Sequence, residues 1–168
     1  MLRALLRRSL DRAEADLGAP VDYLRYVTDH DPAATIKFGM LQPATSHRKV
    51  LPLEVFHAAR VAATQAADCG TCVQIEVNAA RASGVAPEAV RAVLAGAPLS
   101  DAEADAVAFA QATVAGEDPT GPRQRLLERF GDRGVVEAAL AVTTAQVYPT
   151  MKRALGYATA CSLVEVEV

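Results

Sequence analysis

The stretch Asp68-Cys69-Gly70-Thr71-Cys72-Val73-Gln74-Ile75-Glu76 stands between two apolar runs of helical period, Leu53 to Ala67 before it and about Thr71 to Ala82 after it. A CxxC in that setting narrows the choice of folds. A thioredoxin fold needs strands around its CxxC, and none is offered here. A structural zinc site needs two further soft ligands, and Cys161, His30, His47 and His57 form no second pair at zinc-like spacing. Two cysteines buried as small hydrophobes inside a helix sit badly with Gly70 and Thr71 between them, which mark a helix start. With Cys69 as the cap, both sulfurs lie at or near a first turn, where unpaired N–H groups and the positive end of the dipole favour a thiolate. Glu76 follows Cys72 by one helical turn on the same face. It can take or relay a proton, although its charge alone raises a neighbouring thiol's pKa. The residues read as a redox-active dithiol.

The rest of the chain reads as an all-α scaffold in a single domain, 1–168. Its composition, 51% apolar, rich in alanine and without tryptophan, suits closely packed helices. Leu2, Leu5, Leu6, Leu10, Ala13 and Leu17 form one stripe of a first helix, ended by Gly18 and Pro20. The acids Asp11, Glu14 and Asp16 argue for an amphipathic helix there and against a transit peptide. A second segment spans Val21 to Thr28, and Asp31-Pro32 caps and opens another helix. Gln42 to Pro52, with His47, Arg48 and Lys49, reads as a loop. Pro87 opens a helix that stops at Gly96, and Ser100-Asp101-Ala102-Glu103 is a capping box for a helix to about Ala115. Pro122 starts a short helix through Phe130. A long run from Gly134 to Ala160 follows, in which Pro149 is expected to break or kink the helix. The alternating tail 164–168 has no partner strand and is expected to be extended, docking on a neighbouring subunit. Cys161 is expected in the core, and Tyr148 and Tyr157 as packing residues.

A net charge of −3 leaves no basic field for nucleic acid. No apolar run reaches membrane-spanning length. No secretory signal is visible, and three cysteines, two of them in CxxC, fit a reducing cytoplasm.

Three further stretches flank the dithiol: Leu51-Pro52-Leu53-Glu54-Val55-Phe56-His57-Ala58-Ala59-Arg60, Asn78-Ala79-Ala80-Arg81-Ala82-Ser83-Gly84-Val85, and Pro87-Glu88-Ala89-Val90. Together with the CxxC, over residues 50–96, they resemble the core of the alkylhydroperoxidase D (AhpD)-like family of the carboxymuconolactone decarboxylase superfamily. The resemblance implies an all-helical homo-oligomer, a trimer or assembly of trimers. It further implies a peroxidase or disulfide oxidoreductase that cycles a Cys69–Cys72 dithiol and disulfide without metal or other cofactor. A peroxide would be the substrate, and an external dithiol, typically a lipoyl group on a carrier protein, the reductant.

The family's relay glutamate lies twelve residues before the first cysteine, where this chain has His57. Its relay histidine lies four residues after the second, where this chain has Glu76. The two residue types are exchanged. A relay with reversed roles would use His57 as base, or as an imidazolium beside a Cys72 thiolate, and Glu76 to orient or charge it. Glu54, one turn before His57, competes for that second role. Thr71 stands where a histidine is often found between the family's cysteines. Family relays act on the second cysteine, implying Cys72 as attacker, whereas the cap argument favours Cys69. Two other classes stay open. One is a decarboxylase-like lyase or isomerase using His57 and Glu76, and the other is a non-enzymatic redox-sensing oligomer.

Overall fold

Local caps set several of the boundaries in this computed structural model, which describes residues 1–67, 70–157 and 168. Among the described residues all regular structure is helical. Helix α1 (Leu2–Leu17) ends at Gly18, and α2 (Asp22–His30) hands over to α3 (Pro32–Gly39) through Asp31. The Asp31 carboxylate accepts the N–H groups of Ala33 and Ala34, each at 3.0 Å, the expected N-cap. Helix α5 covers Leu53–Ala66, α6 Gly70–Ala82 and α7 Pro87–Ala95. Helix α8 (Asp101–Ala115) starts in the expected capping box, with Ser100 N–H donating to Glu103 and Glu103 N–H donating back to Ser100 Oγ.

The structure corrects two expectations and bears out a third. The 42–52 segment is not all loop, because Gln42–Thr45 forms one short helical turn, α4, with Pro43 in its first turn. The two C-terminal helices meet end to end as α9 (Thr120–Ala154), and the break falls at Gly131. There φ is 66° and ψ −176°, a backbone conformation that only glycine adopts without strain. Pro149 does not end the helix, which runs on to Ala154 with Pro149 buried inside it. One proline removes a single ladder bond, and burying its ring offsets part of that loss. Cys161 and nearly all of the tail lie outside the described residues. Val168 packs against the α6–α7 cluster of its own chain, where its oxygen accepts from Arg91 at 2.9 Å.

Helix α5 is the centre of the fold. It packs on α6, α7, α8 and α9, and residues 55–64 are buried without interruption. A helix buried on every side must satisfy whatever polar groups it carries. Here those groups are His57, Arg60 and Thr64. The main core gathers Phe56, Val61, Phe109, Leu126 and Val142, and a smaller cluster of Val73, Val77, Val85 and Val90 joins α6 to α7.

A second buried carboxylate fixes the approach to α5. Glu137 of α9, 2% exposed, accepts the N–H groups of Lys49, Val50 and Leu51 at 2.8–3.0 Å. Burial pushes its pKa up, but the N–H groups of Leu51, Val50 and Lys49 outweigh that and hold it below the ordinary carboxylate value. Glu137→Gln keeps the shape but loses the charge. It should cost about 2 kcal/mol, measurable as a lower urea midpoint.

Candidate functional site

Helix α6 packs against α5, so residues distant in sequence meet. Cys72 lies in the first turn of α6, 4% exposed, on a buried face shared with Val73, Glu76, Val77 and Ala80. Thr71 beside it is half-buried. Cys69, the other thiol of the motif, lies outside the described residues. From the α9 side, Arg153 donates to the Ala67 carbonyl at the end of α5 and Gln146 donates to that of Ala63. Lys152 lies over the Tyr23 ring, 5.7 Å from its centroid.

Glu76 is held by a residue that sequence reasoning did not single out. Arg60 Nε donates to Glu76 Oε2 at 2.7 Å, and Nη2 donates to Oε1 at 2.6 Å. The remaining nitrogen, Nη1, donates to the Thr45 carbonyl at 3.0 Å and to Thr144 Oγ1 at 2.8 Å. The guanidinium therefore ties α5 to α6, α4 and α9 at once. Arg60 is 5% and Glu76 6% exposed, so the pair stands in the interior, where a two-pronged geometry is needed to repay desolvation. One signal in the sequence pointed to it. Arg60 is a lone cation inside an otherwise apolar run, and a charge there requires a partner.

His57 sits one turn before Arg60 on α5, 6% exposed, with its ring edge-on to Phe56 at 5.3 Å. Its Nδ1 is buried and has no hydrogen-bond partner. Burial lowers its pKa to about 4, with Arg60 and Arg48 acting the same way and Glu76 and Glu54 opposing them. The imidazole is therefore neutral at pH 7. Glu76 is near enough to influence its charge, but no hydrogen bond joins the two, because the carboxylate's bonds go to Arg60. The exposed Glu54 and His57 line one side of a narrow cleft, with room for about one water molecule, walled by Val61, Val85, Val90 and Val93.

Among the described residues no three His, Cys, Asp or Glu side chains gather as metal ligands, and no helix is long and apolar enough to cross a membrane. His47 and Lys49 lie in the loop before α5, and Arg48 donates to the Leu51 carbonyl at 2.9 Å. Tyr148 packs edge-on to Phe38 and donates to Gln42, and Tyr157 leans on Tyr26. Compared with protein-family models, curated proteins and solved structures, the chain finds no match in any of the three.

Proposed function

We propose that this protein is a thiol-dependent oxidoreductase of the AhpD-like kind, acting on peroxides or disulfides through Cys69 and Cys72. The observation that supports it most is that His57 of α5, a neutral imidazole, lies near enough to Glu76 of α6 to feel its charge, and Glu76 stands one helical turn from the first-turn thiol Cys72. In this reading the Cys72 thiolate attacks the distal oxygen of a peroxide and the O–O bond breaks. The sulfur becomes a sulfenic acid, and the leaving alkoxide takes the proton that His57 accepted from the thiol. The Cys69 thiolate then attacks the sulfenic sulfur, expelling water and closing the disulfide. An external dithiol, such as a lipoyl group on a carrier protein, resets the pair by exchange and leaves as its own disulfide. Glu76 passes no proton itself in this reading, since Arg60 holds both of its oxygens. Self-assembly belongs to this reading through the oligomers of the family resembled.

The deciding experiment follows thiol loss to peroxide against pH in the reduced protein, beside Cys69→Ser and Cys72→Ser. The expected result is rapid loss of two thiols with an inflection well below the ordinary thiol value of about 8.5. One serine variant should trap a sulfenic acid and so name the attacking sulfur. Slow loss that tracks an ordinary thiol overturns the proposal.

One observation favours a second reading. Glu54 and His57 share the cleft, a carboxylate and a neutral imidazole on adjacent turns, which suits acid–base chemistry of the lyase or isomerase type. That reading expects turnover to survive replacement of both Cys69 and Cys72 by serine.

A further inference from the structure

The residue pattern leaves Glu76 as a bare carboxylate one turn from Cys72, which would oppose the formation of a thiolate. The structure alters that balance. We propose that Arg60 is a positioning residue of the dithiol site: by gripping Glu76 with two hydrogen bonds, it cancels the carboxylate's charge beside Cys72 and withdraws both oxygens from proton transfer. This rests on the dithiol reading above and deepens it, since it assigns proton acceptance to His57 and electrostatic balance to the Arg60–Glu76 pair.

Three observations carry the inference. Cys72 and Glu76 stand four residues apart on the buried face of α6, where side chains at that spacing are neighbours. Both Glu76 oxygens are engaged by Arg60, at 2.6 and 2.7 Å. Arg60 is itself fixed by the Thr45 carbonyl and Thr144 Oγ1, so the guanidinium cannot swing away from the carboxylate without abandoning two further bonds. The other charged groups brought by the elements packed on α6 are occupied or outside. On α7, Glu88 and Arg91 are exposed and 3.9 Å apart. On α1, Glu14 is held by Arg25 at 2.6 Å. On α5, Glu54 is exposed and His57 is neutral at pH 7. Among the described residues of α1, α5, α6 and α7, the Arg60–Glu76 pair is therefore the buried charged pair, and breaking it on either side should move the thiol in opposite directions.

The test reads the thiol itself and needs no turnover. In a Cys69→Ser/Cys161→Ser background, Cys72 is alkylated with iodoacetamide across pH, with circular dichroism as the check on folding. Glu76→Gln leaves an uncompensated guanidinium and should lower the midpoint by about one pH unit. Arg60→Met leaves an uncompensated carboxylate and should raise it by a similar amount, slowing alkylation at neutral pH about tenfold. The double variant Arg60→Met/Glu76→Met should return close to the parent, and Arg60→Lys, which keeps the charge without the fork, should restore part of the shift. Should Arg60→Met fail to fold, Glu76→Gln and the double variant decide. A midpoint unchanged in Glu76→Gln, or displaced as far in the double variant as in a single one, overturns the proposal. A purely structural strut would leave the midpoint where it is. Failure of the wild type to consume peroxide or disulfide would instead count against the oxidoreductase reading.

Discussion

Arg60→Met is expected to destabilise the fold by about 3–5 kcal/mol, the largest effect of any single replacement considered in this protein. The change strands a carboxylate that is 6% exposed and removes the donor of both its hydrogen bonds. Glu76→Ala should cost a similar amount from the other side, since a buried guanidinium is then left over. The pair itself contributes far less than either single change suggests, because its attraction is largely spent on desolvating both ions. The double variant Arg60→Met/Glu76→Met should therefore recover most of the loss. Its residual deficit should be about 1 kcal/mol, for the Thr45 carbonyl that loses its donor. Thr144 remains satisfied, because its hydroxyl donates to the Leu140 carbonyl at 2.7 Å. Urea midpoints of the four proteins close the cycle. Equal loss in the double variant and in Arg60→Met would mean that packing around the arginine stem, and not the stranded charge, sets the cost.

What could be read from the sequence and what could not follow the same division between local and distant interactions. The N-cap at Asp31, the box at Ser100 and Glu103, and the stop at Gly96 involve residues within a few positions of one another, and each appears where its residue types place it. The helical period of 53–67 correctly marks α5, but period alone cannot tell a helix with one buried face from one buried on every side. The burial of His57 was therefore not visible, and for Arg60 the apolar run showed the need for a partner but not which one. The partner of Glu76 lies 16 residues away across a hairpin, and Glu137 meets its three N–H groups across 86–88 residues. No local pattern encodes such pairings. Pro149 illustrates the reverse error. A strong local rule anticipates a break, yet tertiary burial carries α9 through it, while the less conspicuous Gly131 supplies the turn. The dithiol motif and its flanks suggested chemistry already in the sequence. The charge arrangement beside Cys72 became legible only with the helices in place.

The second large effect is on acid stability, and His57 produces it. In the folded protein the imidazole's pKa is lowered to about 4, chiefly by burial, while in the unfolded chain it returns to about 6.5. A base with a depressed folded pKa is bound to fewer protons in the fold than in the unfolded chain between those two values, so stability rises with pH across that window. Above pH 6.5 both states are neutral and the group contributes no pH dependence. On acidification the unfolded chain gains its proton first, and the loss builds to on the order of 3 kcal/mol by pH 4. Carboxylates with ordinary or lowered values titrate mainly below pH 5, so between pH 6.5 and 5 the difference between wild type and a His57 variant reads this histidine. His57→Leu should flatten the stability profile there. It should also remove a buried nitrogen that has no partner, so the variant should exceed the wild type in stability at pH 5. A wild-type profile already flat from pH 6.5 to 5 would mean that the imidazole takes up its proton inside the fold near the ordinary value. The neutrality of His57 at pH 7 would then owe nothing to its burial.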